Sequence, residues 1–205
     1  MTQFLGRKNE PRWIIVHHTG GTDLNPLADT SHHTFEIVNN WHRQLWPNFP
    51  SFYGVYIGYH WLIEKDGKLR KGREEYEEGA HCKGMNISSI GICLAGNFDR
   101  TIGTANCYPT EAQIQTLKNL LVELTKKYNI SPENIVPHRY FAFGKTCYGK
   151  GLHNDWAKNL VKEESELERI QKQISFLQQQ ILALMRLIER LKVQLGGVFV
   201  EDPFE

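Results

Sequence analysis

The sequence predicts an α/β sheet domain followed by a C-terminal coiled-coil helix, and three observations carry that prediction. Short apolar runs of strand type alternate with segments whose apolar residues recur at helical spacing. The dipeptide Asp66-Gly67 separates two strand-like runs, a strong hairpin signal. Beyond Val161 glycine and proline vanish until Gly196, and apolar residues fall on a seven-residue repeat. The expected domains are residues 1–161, a helix over 162–196 and a tail over 197–205.

Taken in order, "RWIIVHHT" reads as a strand, and "TSHHTFEIVNNWHRQLW" spaces Phe35, Val38, Trp41, Leu45 and Trp46 along one helix face, with Asp29 or Thr30 as its N-cap. "YIGYHWLIEKDGKLRKGR" supplies the hairpin, and "SIGICLAG" is a continuous apolar run of the buried-strand kind. Thr110 and Gln113 form a capping-box pattern ahead of a helix whose stripe is Ile114, Leu117, Leu120, Leu121 and Leu124. "NIVPHRY" is a short strand ending in a histidine, followed by irregular "FAFGKTCYGKG" and a short segment "HNDWAKNLV". The final helix places Leu167, Ile170, Ile174, Leu177, Ile181, Leu184, Ile188, Leu191 and Leu195 on a coiled-coil seam, which predicts a homo-oligomer. Leu182, Met185 and Leu187 widen that seam, so its order stays open.

With 24 basic and 23 acidic side chains, the net charge of +1 gives no broad field for nucleic acid or an anionic membrane. Four widely spaced cysteines, Cys82, Cys93, Cys107 and Cys147, fit free thiols in a reduced compartment better than a disulfide framework. The opening "MTQFLGRKNEPRW" lacks the apolar core of a secretory signal.

Two adjacent histidines close the first strand. Alternation sends His17 and His18 to opposite faces, so one of them can leave the core for a cleft while the other is a satisfied polar residue. His138 ends another apolar run, and Cys147 follows nine residues later. Two imidazoles and a thiolate are ligands that Zn²⁺ takes with a fourth position open to water. Among nine histidines and four cysteines, spacing alone does not select that set. A Cys147 nucleophile with His138 as base, a cysteine hydrolase, uses the same residues.

The blocks "IIVHHTGG", "IGYHWLIEKDGKLRKGR", "GAHCKGMNISSIGICLAGNF", "YPTEAQIQTLKNLLVEL" and "PHRYFAFGKTCYG" resemble, in order, the zinc-dependent N-acetylmuramoyl-L-alanine amidases of the type-2 family. That family includes T7-type phage endolysins and the peptidoglycan recognition proteins. The resemblance runs from about Pro11 to Val161 and implies a central mixed β-sheet flanked by helices, with one Zn²⁺ at the floor of a groove. It implies His17, His138 and Cys147 as metal ligands, Tyr59 and Lys145 as catalytic groups, and His81, Asn86 and Trp41 as substrate-binding residues. For His81 a hydrogen bond behind the metal is the alternative. The sequence departs from the family at Cys147-Tyr148-Gly149, where Cys-Pro-Gly is usual, which leaves the following loop undefined.

His60 alternates with Tyr59 and is read as buried, facing the helices; His32, His33, His42 and His153 are read as surface or helix-face residues. The aromatic stretch "LWPNFPSFYG" is either a groove wall for sugar stacking or a packed loop. Glu64 faces away from Tyr59, so no carboxylate is assigned as general base. The implied substrate is peptidoglycan, cut between N-acetylmuramic acid and L-alanine, by an endolysin held in the host cytoplasm until its release to the wall. A peptidoglycan-binding protein without activity is the other outcome the family contains, and its sign is loss of the third ligand; Cys147 is present. The apolar face near Arg186, Arg190 and Lys192 also suits a membrane surface, but the strict heptad favours self-association.

Overall fold

Strand β1 (Trp13–His18) occupies the interior of a five-stranded sheet, in a computed structural model that describes residues 6–196. Its neighbours are β4 (Ser89–Leu94) and β5 (Ile135–Pro137), both parallel to it. β2 (Trp61–Ile63) pairs in parallel with β4, and β3 (Leu69–Lys71) pairs antiparallel with β2, giving the order β3-β2-β4-β1-β5. The sheet is therefore mixed, with helices α1 (Phe35–Leu45) and α2 (Glu111–Tyr128) and the start of α3 (Trp156–Gly196) supplying its cover.

Alternation along β1 and β4 divides the core. Ile14, Val16, Ile90, Ile92 and Leu94 pack with Leu117, Leu120, Leu121 and Leu124 of α2 and with Ala157 and Val161 of α3. Cys93 and Leu62 face the other way, towards Phe35 and Val38 of α1, while Ile15 meets Cys82 and Val136. A wholly buried aliphatic side chain of this kind contributes about 1.5–3 kcal/mol.

The capping box of α2 forms as expected: Thr110 Oγ1 accepts from Gln113 N, and Gln113 Oε1 accepts from Thr110 N. Gln113 is itself buried and donates its amide to the carbonyls of Ile63 and Ala95, tying the helix to β2 and the end of β4. The hairpin turns at Gly67, whose φ of 84° suits glycine, with Asp66 Oδ1 accepting from Lys68 N. Its strands are shorter than the apolar runs suggest. Gly58 approaches the Ala80 main chain closely: its carbonyl accepts from Ala80 N at 2.9 Å, and a Cβ there would come within 2.3 Å of the Ala80 carbonyl oxygen.

Helix α1 begins later than expected. Its N-cap is Thr34, because Asp29 accepts from Ser31 N in a local turn and Thr30 donates to the Gly20 carbonyl. Its buried face is Phe35, Val38 and His42, whereas Trp41, Leu45 and Trp46 stay substantially exposed. His42 is thus no surface residue: Nδ1 accepts from Gly58 N at 2.8 Å. His33 is half-buried, and His32 and His153 are exposed. The segment starting at Trp156 and the C-terminal helix are one helix of 41 residues.

The chain divides into two compact units, Met1–Lys162 and Glu163–Glu205, with α3 crossing the boundary. The expected tail, 197–205, lies outside the described residues. No helix among the described residues is long and apolar enough to cross a membrane. All four cysteines are free.

Candidate active site

β1 and β5 are parallel, so His17 at the end of one and His138 just past the other emerge at the same carboxyl edge. Alternation then separates the adjacent histidines. His18 turns to the α2 side, where Nδ1 accepts from Phe98 N at 3.0 Å and Nε2 lies 3.7 Å from Asp99. His17 turns to the opposite face, its ring centroid 4.6 Å from that of His138. Cys147 joins them. The metal-ligating atoms of His17, His138 and Cys147 all lie within 4.8 Å of one another, the one such cluster of His, Cys, Asp or Glu among the described residues.

The donor set fits zinc. Tetrahedral bonds of about 2.0–2.3 Å put ligand atoms roughly 3–4 Å apart, so small side-chain movements bring these three onto one ion. Burial pushes His17 well below the usual imidazole value, and burial followed by the Lys145 ammonium takes His138 down to about 4. Both rings are therefore neutral near pH 7, the form that offers a lone pair. Burial pushes the Cys147 thiol up to about 12.

The Cys147 loop is held from several sides. His18 N–H donates to Cys147 Sγ at 3.3 Å, and Arg139 N–H donates to the Cys147 carbonyl at 2.9 Å. The Arg139 guanidinium reaches the carbonyls of Thr146, Gly149 and Leu152, while Asp99 accepts from the Thr146 hydroxyl and from Lys150 N. Tyr148 is fully buried, and its hydroxyl donates towards the His153 and Asn154 carbonyls. An aromatic anchor thus defines the loop shape that the sequence left undefined. Sequence reasoning missed the Arg139 and Asp99 contacts, which no local pattern signals.

Two adjoining depressions, of about 840 and 300 Å³, meet at this cluster and share Trp46, Ala80, His81, His138 and Lys145. Tyr59 and Trp41 line the smaller one. Tyr59 sits with its ring centroid 5.1 Å from that of His17, and its hydroxyl hydrogen-bonds Cys93. Burial first, then Cys93 and Cys147, push that phenol well above its usual value, so it stays protonated. Lys145 is exposed at the rim. Asn86 lines the larger depression, but its Oδ1 already accepts from His81 N and Cys82 N. His81 is buried and hydrogen-bonded to His17 and Ser89, leaving it behind the cluster.

Three further residues and segments find their partners elsewhere in the fold. His60 is buried and satisfied, but by Gly91 N and the Glu77 carbonyl rather than by the helices. Glu64 is spent on Phe35 N and Arg70, away from the cluster. Of the aromatic stretch, Trp46 reaches the groove, whereas Phe49 stacks on the buried Arg73, which donates to the Phe49 carbonyl, and Phe52 N donates to the buried Glu77. That stretch is chiefly a clamped loop.

A groove at the carboxyl end of parallel strands, floored by two neutral imidazoles and a thiol, has the donor set of a site that could hold a metal ion, and the fold around it is that of an amide hydrolase family. The chain belongs to the N-acetylmuramoyl-L-alanine amidase family, whose model matches residues 7–150, and its activity is that family's amide hydrolysis in peptidoglycan. It is 36% identical to the endolysin of Enterobacteria phage T3 and 35% identical to that of Escherichia phage T7. Each match spans 123 residues, 60% of this chain and 74% of the relative. Peptidoglycan-recognition protein SC1a of Drosophila melanogaster is 33% identical over 97 residues, 46% of this chain and 48% of that one. Among solved structures, the amidase LysCS from Clostridium intestinale matches with a TM-score of 0.55 and 25% identity, covering 81% of this chain and 92% of its own. The Ph2119 endolysin of a Thermus scotoductus bacteriophage shares the fold, with a TM-score of 0.58 over 78% of this chain and 92% of its own, at 22% identity.

Proposed function

We propose that this amidase is zinc-dependent and serves as a phage endolysin, cutting the bond between N-acetylmuramic acid and the L-alanine of the stem peptide. The observation that carries the reading is the convergence of His17, His138 and Cys147 within 4.8 Å at the floor of an open groove. These three residues would hold the ion. Zinc bound there supplies a water acidic enough to ionise near neutral pH and a Lewis acid for the amide carbonyl.

The chain's own groups complete the chemistry. Attack turns a neutral amide into a tetrahedral oxyanion, and the Lys145 ammonium, which lines the depression, would stabilise that charge more than the ground state. Tyr59, held protonated by burial, donates a hydrogen bond to the carbonyl or the attacking water and does not act as a base. Asp99 lines the same depression, but its two oxygens are engaged by Thr146 and Lys150 N, so it is not assigned as the base. Trp41 offers an exposed ring for a sugar face, and Asn86 a free amide nitrogen for the stem peptide. A Cys147–His138 hydrolase is disfavoured because it gives no role to His17, whose ring converges on the same point.

The seam of α3 is read as a homo-oligomer interface that gathers several catalytic domains onto one polymeric wall. Endolysin relatives support a protein held inside the cell until release to the wall. Mass spectrometry of peptidoglycan digests, with and without chelator, tests the central reading. New free stem peptides beginning at L-alanine, lost on chelation and restored by zinc, are expected. Cleavage that survives chelation and stops on thiol alkylation would replace the zinc reading with the cysteine hydrolase.

A further inference from the structure

Behind the metal cluster runs a chain of hydrogen bonds that ends on the main chain. His17 Nε2 lies 3.0 Å from His81 Nδ1, His81 Nε2 lies 3.4 Å from Ser89 Oγ, and Ser89 Oγ donates to the Met85 carbonyl at 2.7 Å. A carbonyl only accepts, and a serine hydroxyl has one proton to give. With that proton committed to Met85, Ser89 Oγ receives a hydrogen bond from His81 Nε2–H. An imidazole that donates from Nε2 and carries one ring proton has a lone pair on Nδ1, and the His81 Nδ1 lone pair, 3.0 Å away, takes the proton of His17 Nε2. His17 is left with a bare Nδ1.

We propose that His81 and Ser89 are positioning residues which fix the tautomer and orientation of His17, so that its Nδ1 lone pair is aimed at the metal before any metal arrives. The inference rests on the zinc reading for its purpose, though the order of protons is a property of the chain alone. Three further observations say the ring is built into place. His81 and Ser89 are both buried. Gly91 and Gly79 leave the slot it occupies: a Cβ on Gly91 would come within 2.5 Å of His81 Cγ, and one on Gly79 within 2.5 Å of Cδ2. Asn86 Oδ1 anchors the backbone from beneath, accepting from His81 N at 3.0 Å. Partners of this kind typically govern metal affinity by about 10–100-fold.

The first arm of the test is ¹⁵N–¹H correlation NMR of the histidine rings in the metal-free protein. Both His17 and His81 are expected to carry their proton on Nε2, and a His17 ring protonated on Nδ1 overturns the proposal. The second arm is zinc affinity by competition with a chromophoric chelator. Ser89→Ala is expected to weaken binding about 10-fold and His81→Ala by about 10–100-fold. Because Ser89 acts through His81, the double variant should bind no more weakly than His81→Ala alone. Parental affinity in Ser89→Ala, or losses that multiply in the double variant, overturns the relay. If His81→Ala does not fold, Ser89→Ala and the ring spectra still decide. A parent protein that binds no zinc sinks the zinc reading, while the spectra judge the proton order separately.

Discussion

The two compact units of this chain treat the same residue types in opposite ways. In Met1–Lys162, isoleucines and leucines such as Ile14, Ile92, Leu62 and Leu121 are wholly buried. In the C-terminal unit, the seam residues from Ile170 to Leu191 are exposed, between 41% for Ile170 and 58% for Leu184. Both obey helical or strand periodicity. The difference is that the first unit's apolar faces meet one another through sheet, α1 and α2, whereas a single helix has no second face within its own unit to close on. The first unit specifies a site, and the second is read as specifying a partner.

The largest expected effect separates these roles outright. His17→Ala, His138→Ala or Cys147→Ser should each lose the bound zinc and bring hydrolysis to background, because each removes one of three converging donors. His18→Ala is the internal contrast. It should keep zinc and lose stability instead, since its ring caps Phe98 N on the other side of the sheet. Metal content per chain decides the matter, and a zinc-free His18→Ala beside a zinc-loaded His17→Ala would invert the facing of β1. Particle mass should be unchanged in all four variants if the units act independently.

Next in size are the groups around the ion. Lys145→Ala and Tyr59→Phe should each retain zinc and lower kcat by about 10²-fold, the scale for removing one group that stabilises a developing oxyanion. Full turnover in both would leave the oxyanion to the metal alone.

What could be read from the sequence follows from how local its cause is. The Thr110–Gln113 box and the Asp66-Gly67 hairpin are set within a few residues, and both formed as expected. The two faces at His17 and His18 follow from strand geometry alone. His42 and Arg73 were not legible, because their burial depends on Gly58 and the Ile57 and Phe49 carbonyls arriving from other segments. Thr34 caps α1 only because Asp29 and Thr30 are consumed by neighbours that local pattern does not reveal. The grouping of His17, His138 and Cys147 was legible through resemblance to a family, whereas the Arg139 and Asp99 braces around the Cys147 loop were not.

A pH titration sharpens the comparison in thermodynamic terms. Burial holds His42 and His60 at about 4 against an ordinary 6.5, so between those values the unfolded chain binds protons that the folded chain refuses. Stability from these rings is full above pH 6.5 and is lost as pH falls towards 4, at up to about 1.36 kcal/mol per pKa unit for each. No histidine lies beyond His153, so this loss belongs to the first unit. All five tryptophans lie there too. Their fluorescence should report a melting temperature that falls from pH 7 to 4.5; a flat profile would mean that these rings are protonated in the fold.

The smallest effect concerns the seam and depends on geometry as much as on affinity. With Leu167 at position a, isoleucine fills a at 174, 181 and 188, and leucine fills d at 177, 184 and 191, the pairing that favours parallel strands. The flanking e and g positions of the first heptads hold Gln171, Gln173, Gln178 and Gln180, so identical copies meet without like-charge repulsion there. Replacing Ile181 and Leu184 together by aspartate should therefore reduce the particle to one 23.8 kDa chain in light scattering, while the parent runs as a multiple. On a small soluble muropeptide the two should turn over alike, since the groove belongs to one copy. On intact walls the assembled parent should be faster, by about 10-fold or more if tethered domains see a raised local concentration of stem peptides. A monomeric parent would leave the seam without its partner, and equal rates on intact walls would remove the avidity role while keeping the assembly.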